Sequence, residues 1–262
     1  MIVGAFRSEW IKLRRPSLFL GTYIGLAAAA SAFTILMFTQ ATRTGGGDWG
    51  LPSLAQLGQP NGLVHGLSRA TILLGIVAFG IAASQIASEY SLGTLRQLLV
   101  RQPRRPVLLV GKYVGVLTFL AVALVFAAVI AAVVAVAMAH SRHVPTGAWT
   151  SSAGISDLTR ALGDLVLAVV GYASLGLAVG LFLRSSVFAV IIGFAWLLPV
   201  ESIIMKIVPG TTPWLPGSAL TIVGEGGTST LSYGHALVVS LAYVIVAGIV
   251  TTFAFIRRDV TA

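Results

Sequence analysis

Six runs of apolar residues, each about as long as a membrane-spanning helix, dominate this sequence of 262 residues. Crossing a hydrocarbon core of about 30 Å takes roughly 20 consecutive helical residues. With 56% hydrophobic and 10% charged residues, the chain is too apolar to fold as a soluble globule. The sequence therefore predicts an all-α polytopic membrane protein with one transmembrane domain, 1–262, and six spans. These spans cover residues 17–39, 70–88, 107–139, 162–183, 186–204 and 235–256.

The basic residues divide unequally between the two sides of the membrane that six spans would create. Twelve of the 17 Lys and Arg fall on the side of the N terminus and the other five fall on the opposite side. Cytoplasmic loops carry such an excess, so we expect a multi-pass protein of the cytoplasmic membrane with both termini in the cytoplasm. The same rule accounts for the net charge of +9 without a nucleic-acid partner. In the bilayer, Trp49, Trp149 and Trp214 are expected at the outer headgroup level.

Residues 1–16 form an amphipathic segment ahead of the first span. Glu9 and Lys12 are predicted to face away from an apolar arc, and Trp10 with Arg14 suits the headgroup level. The pattern predicts an interfacial helix, with a cytoplasmic extension of the first span as the alternative. The side chains that share the apolar arc, at about 100° per residue, are Ile2, Val3, Phe6, Trp10 and Leu13.

Residues 89–106 form a polar insert between the second and third spans. Thr94 to Gln97 fits a capping box, and Gly93 permits a sharp turn before it. The insert is therefore predicted to hold a short amphipathic helix on the cytoplasmic side, and an ordinary basic loop is the alternative. The leucines that recur at helical spacing are Leu92, Leu95 and Leu99.

The fifth span is interrupted by Pro199, which Glu201 follows closely. A proline removes a helical hydrogen bond, so the sequence predicts a span that ends early or a re-entrant segment. Polar side chains are sparse in the spans, and Ser84, Gln85 and Glu201 are weak candidates for a substrate path. An ion pathway would need more ionisable groups inside the membrane, which favours an amphipathic or hydrophobic cargo.

The chain has no P-loop of the form GxxxxGK[ST]. Its only Gly-Lys pair, at Gly111 and Lys112, is followed by Tyr113 and has Pro106 in place of the first glycine. ATP binding by that route is therefore excluded. The absence of cysteine also excludes disulfides and thiolate metal sites, and we expect no metal ligands in this chain.

The chain resembles the permease subunits of ABC-2 type ABC exporters over essentially its whole length. The resemblance is carried by FRSEWIKLRR before the first span, SEYSLGTLRQLL and RQPRRPVLLVGKY after the second, and more weakly LLPVESIIMKIVPGTTPWLPGSAL. It implies a six-span subunit with an N-terminal interfacial helix, a cytoplasmic coupling helix between spans two and three, and a re-entrant outward segment between spans five and six. The implied partners are a cytoplasmic ATPase, which holds ATP and Mg, and a second permease subunit, identical or paralogous. This chain itself would bind no cofactor and catalyse no reaction.

The resemblance also implies roles for particular residues. In the interfacial helix, Glu9 and Arg14 would assist coupling. Apart from the resemblance, a carboxylate at the cytoplasmic end of an apolar span is costly unless it is hydrated or paired. Glu89 is therefore expected to pair with Arg96 or Lys112, to contact the ATPase, or to remain a solvated helix-end carboxylate. The residues implied in coupling to the ATPase are Glu89, Tyr90, Gly93, Thr94, Leu95, Arg96 and Leu99.

The function implied is ATP-driven export of a drug, peptide or lipid. Two other classes stay open at this point: a non-transporting sensor or immunity subunit that docks an ATPase, and an intramembrane enzyme. An enzyme would need paired carboxylates or a nucleophile dyad, and neither Asp157 nor Asp164 has such a partner in the sequence.

Overall fold

The structure, a computed structural model, describes residues 2–42, 51–91, 105–228 and 231–257. Within these residues the regular secondary structure is helical, apart from one isolated bridge between Thr42 and Ser53. Six helical segments are long and apolar enough to cross a membrane. The chain is thus a polytopic membrane protein with the predicted number of long apolar helices.

Eleven α-helices are described in chain order. They are α1 (Ile2–Leu13), α2 (Pro16–Gln40), α3 (Leu54–Leu57), α4 (His65–Arg69), α5 (Thr71–Ser91), α6 (Arg105–Ser141), α7 (Ser152–Leu183), α8 (Ser186–Ala195), α9 (Glu201–Ile207), α10 (Pro216–Gly224) and α11 (Tyr233–Arg257). The membrane-length segments are α2, α5, α6, α7, the continuous pair α8–α9, and α11.

Helix α7 begins well ahead of residue 162, where the apolar run starts. The Ser151 hydroxyl caps the helix by accepting a hydrogen bond from the Gly154 amide at 3.1 Å. The first turns carry the charged Asp157 and Arg160, so they lie outside the apolar run. The helix is therefore longer than its apolar part.

Helices α5 and α7 run parallel and in close contact, because α7 offers glycines to α5. A Cβ at Gly176 would collide with the backbone carbonyl of Phe79, and one at Gly180 would collide with that of Ala83. The two glycines lie four residues apart, which places them on one face of α7. Small residues at this spacing let helix backbones approach closely in a membrane, where dispersion contacts drive association.

We expect Gly176→Ala to destabilise the protein, because its methyl group would have to displace the backbone of α5. The free energy of unfolding should fall by about 1–3 kcal/mol, as for other overpacked sites. Gly21→Ala is the matched control, since nothing lies within 4 Å of a Cβ there and alanine is the better helix former. Thermal unfolding in detergent measures both. Equal stability of the two variants would contradict the close α5–α7 packing.

The prediction that the fifth span is interrupted at Pro199 is wrong. The helix continues from Ser186 to Ile207, and residues Trp196–Val200 form a π-helical turn that contains Pro199. A π-helical turn is a local change of hydrogen-bonding register within a helix, and it can accommodate a residue that lacks an N–H. The proline therefore changes the helix locally without ending it.

Trp149, predicted at the outer headgroup level, has its ring packed inside the protein. Trp149 is 5% exposed, its ring meets the Phe38 ring edge-on, and its Nε1 donates to the Leu57 carbonyl at 3.0 Å. A tryptophan can be buried where its N–H finds an acceptor. Trp214 remains exposed, and Trp49 lies outside the described residues.

Candidate functional site

Four charged side chains meet where α1 packs against α6 and reaches the end of α5; we call them the four-charge cluster. The Lys112 Nζ donates to Glu9 Oε2 at 2.9 Å and to Glu89 Oε1 at 2.7 Å. The Lys12 Nζ donates to Glu9 Oε1 at 3.0 Å and to Glu89 Oε1 at 2.8 Å. Each lysine therefore bridges both glutamates, and the two positive and two negative charges balance.

The four-charge cluster is largely closed to solvent. Glu9 and Lys112 are each 2% exposed and Glu89 is 7% exposed, whereas about a third of the Lys12 side chain is exposed. A buried ion costs several kcal/mol of desolvation unless partners compensate it, and removing one partner costs about 3–5 kcal/mol. Once formed, the cluster thus resists separation of the three helices that supply it.

The two charges on α1 stay ionised at neutral pH. Burial acts to raise the pKa of the Glu9 carboxyl, but the ammonium groups of Lys112 and Lys12 outweigh burial and lower it. Burial acts to lower the pKa of Lys12, but Glu89 and Glu9 outweigh burial and raise it. The contact between α1 and the helix bundle is therefore ionic.

The prediction that Glu9 faces away from the apolar side of α1 is wrong. Glu9 points into the bundle, and Gly115 of α6 makes the approach possible because a Cβ there would lie 3.0 Å from the Glu9 Cβ. Lys112 supplies a buried counter-charge that the periodicity of α1 does not reveal. The apolar residue Ile11 is instead 72% exposed.

The apolar residues of α1 strengthen the same contact. Leu13 is completely buried, and the Trp10 ring meets the Phe119 ring edge-on with centroids 6.4 Å apart. Phe6 stacks on Trp10 with centroids 5.8 Å apart. Arg14, by contrast, is exposed. Helix α1 is thus attached to α6 by aromatic packing and by charge.

Of the residues implied in ATPase coupling, the structure describes Glu89 and Tyr90. The Arg184 guanidinium lies over the Tyr90 ring, 5.5 Å from its centroid, which is cation–π geometry. Of the two protein partners predicted for Glu89, Lys112 is confirmed. The coupling residues outside the described part of the chain are Gly93, Thr94, Leu95, Arg96 and Leu99.

From the sequence, Lys112 is expected only as one of the alternative partners of Glu89, and Lys12 is expected to face away from the apolar side of α1. The signal for Lys112 was present, because a lysine inside an apolar run is costly and calls for a buried partner. Lys12 gave no such signal, since it lies in a polar stretch that suits solvent equally well. Its part in the site depends on the position of α1.

An apolar cavity of about 250 Å³ lies beside the four-charge cluster, between α5, α6, α7 and α11. Lys112 and Tyr113 line it on the side of α6, and the Tyr113 hydroxyl lies 2.6 Å from the Ser174 hydroxyl on α7. Ser84 and Gln85 are not among its lining residues. Because most of the remaining wall is apolar, the cavity suits an apolar group. Its apolar lining includes Ile86, Leu109, Leu177, Leu181 and Val244.

Glu201, the third residue considered for a substrate path, contacts the backbone of α10. Its two carboxylate oxygens accept hydrogen bonds from the Gly217 and Ser218 amides, each at 2.9 Å. The first amides of a helix have no intrahelical acceptor, so a buried carboxylate there satisfies them. The Tyr172 hydroxyl donates to the Gly217 carbonyl at 2.7 Å. Glu201 and Tyr172 together hold the start of α10 against α9 and α7.

These features define a class of protein: a polytopic membrane protein whose N-terminal helix is joined by buried charges to the two helices that flank a polar insert. Residues 55–261 match a family described as DUF2705, protein of unknown function. The match covers more than half of the chain, and the chain belongs to this family. The matched region includes Glu89 and Lys112 of the four-charge cluster, whereas Glu9 and Lys12 precede that region. No curated protein matches the sequence.

Proposed function

We propose that this chain is the membrane-spanning permease subunit of an ATP-driven exporter of the ABC-2 type. It moves an amphipathic or hydrophobic substrate out of the cell across the cytoplasmic membrane. A separate cytoplasmic ATPase docks on residues 89–106 and supplies the energy, and a second permease subunit completes the pathway. Within this proposal α1 lies at the cytoplasmic interface, residues 94–100 form the coupling helix, and α10 is the re-entrant outward segment.

The observation that carries the proposal is the position of the four-charge cluster. It joins α1 to the end of α5 and the start of α6, and these two helices flank the proposed docking segment. A displacement of that segment by an ATPase would move both helix ends. Because separating buried charges is costly, α1 would follow. The cluster would thus transmit one movement of the docking segment to α1, α5 and α6 together. Coupling ATP hydrolysis to a change in the membrane-spanning helices requires such a transmission.

The apolar cavity supports the proposed class of substrate. It adjoins Lys112, so the residue that anchors α1 also forms part of the cavity wall. A movement transmitted through Lys112 would change the shape of the cavity directly. An apolar wall with a hydroxyl pair at Tyr113 and Ser174 suits an amphipathic molecule better than an ion.

The first experiment tests for the ATPase. The chain is purified in detergent from cells that co-express the products of its neighbouring genes, with a photo-crosslinking amino acid at position 96 or 99. We expect a P-loop ATPase to copurify and to crosslink from both positions. A crosslinker at Trp214, which is exposed and distant in sequence from the insert, should capture none. If the chain purifies with no ATPase, and the crosslinkers at positions 96 and 99 capture none, the proposal is overturned.

A second experiment separates a transporter from a non-transporting sensor that also docks an ATPase. Because the chain contains no cysteine, Ala178→Cys in the cavity wall introduces a single thiol. We expect ATP to change its labelling rate in the purified complex severalfold, since alternating access changes the exposure of the cavity. A labelling rate that ATP leaves unchanged, in a complex that hydrolyses ATP, would favour the sensor.

A further inference from the structure

A second cavity, of about 490 Å³, lies at the other end of the bundle from the four-charge cluster. It opens between α4, the first turns of α7, and the turn that follows α10. Helix α4 directly precedes α5, whereas Glu89 lies close to the far end of that 21-residue helix. A helix of this length spans about 30 Å, so the two sites are separate.

Charged groups of both signs line this polar cavity. Asp157, Arg160 and Asp164 come from α7, where successive intervals of three and four residues place them on one helix face. Arg69 comes from α4 and Glu225 from the turn after α10, and their charged groups lie 3.6 Å apart. Three carboxylates and two guanidinium groups therefore surround one space.

The negative charges lie deeper in the cavity than the positive ones. Asp164 is 8% exposed, and the Tyr233 hydroxyl hydrogen-bonds to it. Arg160 is exposed, and nearly half of the Arg69 side chain is exposed. The cavity thus has a carboxylate at its floor and guanidinium groups at its mouth.

Several of these groups lack a charged partner. Among the described residues, no salt bridge within 4.0 Å reaches Asp157, Arg160 or Asp164. The Asn61 Oδ1, which belongs to another lining residue, is buried and accepts no hydrogen bond. A buried acceptor without a donor, such as the Asn61 Oδ1, is costly, and both this oxygen and the further lone pairs of the Asp164 carboxylate would gain from a donor brought by a ligand. An ammonium group carries three such donors and the complementary charge.

We propose that this cavity binds a zwitterionic group, with its ammonium at Asp164, Asp157 and the Asn61 Oδ1 and its carboxylate or phosphate at Arg160 and Arg69. The chemistry requires an N–H-bearing cation and an anion within one small group. A free amino acid or peptide end has both, and so does the headgroup of an ethanolamine phospholipid. This site does not depend on an ATPase partner.

The test measures binding to the purified full-length chain in a detergent that carries no charge. Four probes are compared by isothermal titration calorimetry: dialanine, glycerophosphoethanolamine, glycerophosphocholine and glycerol phosphate. We expect dialanine, glycerophosphoethanolamine or both to bind, and the other two to bind at least about tenfold more weakly. Glycerophosphocholine carries a cation without N–H donors, and glycerol phosphate carries no cation.

Variants assign any binding to this cavity. We expect Asp164→Asn and Arg160→Gln each to weaken binding by about tenfold, because each removes one charge-assisted contact. Lys206→Gln, at an exposed lysine on α9 outside the lining, should bind as the unaltered chain does. If Asp164→Asn does not fold, the half-buried Asp157 is changed to asparagine instead.

Each outcome decides the proposal. Binding of dialanine alone identifies a free zwitterion, and binding of glycerophosphoethanolamine alone identifies a lipid headgroup. Binding that Asp164→Asn and Arg160→Gln leave unchanged would overturn the proposed site. Equal affinity for glycerophosphocholine, or no binding of any probe, would overturn it as well.

Discussion

Replacing Lys112 with methionine is expected to lower the free energy of unfolding by about 3–5 kcal/mol, the cost of breaking a buried ion pair. Methionine is unbranched and flexible, like the lysine stem, so the change removes a charge more than it removes packing. Glu9 and Glu89 would remain buried, with the partly exposed Lys12 as their shared cation. Thermal unfolding of the detergent-purified protein, followed by tryptophan fluorescence, measures the loss.

Two further variants isolate the charge effect. Lys206→Met makes the same substitution at an exposed lysine and should change the stability by less than about 0.5 kcal/mol. The double variant Lys112→Met with Glu89→Gln removes one of the stranded charges and should recover part of the loss. If Lys112→Met is as stable as Lys206→Met, the four-charge cluster does not hold α1 in place.

Replacing Glu201 with alanine is expected to lower the free energy of unfolding by about 2–4 kcal/mol. The change leaves the Gly217 and Ser218 amides without their acceptor, and an unsatisfied buried donor costs about 1–3 kcal/mol. The first turn of α10 should open more often as a result. Hydrogen–deuterium exchange of these two amides measures that opening directly, and thermal unfolding measures the stability.

Graded variants show whether the carboxylate or its volume matters. Glu201→Gln keeps one acceptor oxygen and should lie between the unaltered chain and Glu201→Ala. Ser202→Ala is the neighbouring control, because its exposed hydroxyl contacts the Leu198 carbonyl within the same helical segment. If amide exchange in α10 were the same in Glu201→Ala and Ser202→Ala, Glu201 would not cap α10.

The long apolar helices could be predicted from the sequence because the membrane acts on each run separately. An apolar stretch of about 20 residues satisfies the hydrocarbon core and, as a helix, satisfies its own backbone hydrogen bonds. The first span illustrates this: the apolar run predicts a span over residues 17–39, and α2 covers Pro16–Gln40. Neither requirement depends on what the run packs against.

Single residues were less reliable guides, because their effect depends on their neighbours. Pro199 predicted an end to the fifth span, yet a π-helical turn absorbs it. A tryptophan in an outer loop suggests a ring among the lipid headgroups, yet Trp149 is buried in the protein, where the Leu57 carbonyl accepts its N–H. Ser151 caps α7 at its start, about ten residues ahead of the apolar run, so the helix begins in polar sequence that hydropathy does not mark as a span.

The sequence by itself determined that the described part of this chain has six helices long and apolar enough to cross a membrane, since apolar length alone decides that. Tertiary structure decided which charges meet. Lys112 pairs with Glu9 across 103 residues of sequence and with Glu89 across 23. Residue type and helical periodicity describe one element at a time, whereas a buried charge is stable only if another element brings its partner. For this reason Glu9 looked solvent-facing in the sequence and lies in the bundle in the structure.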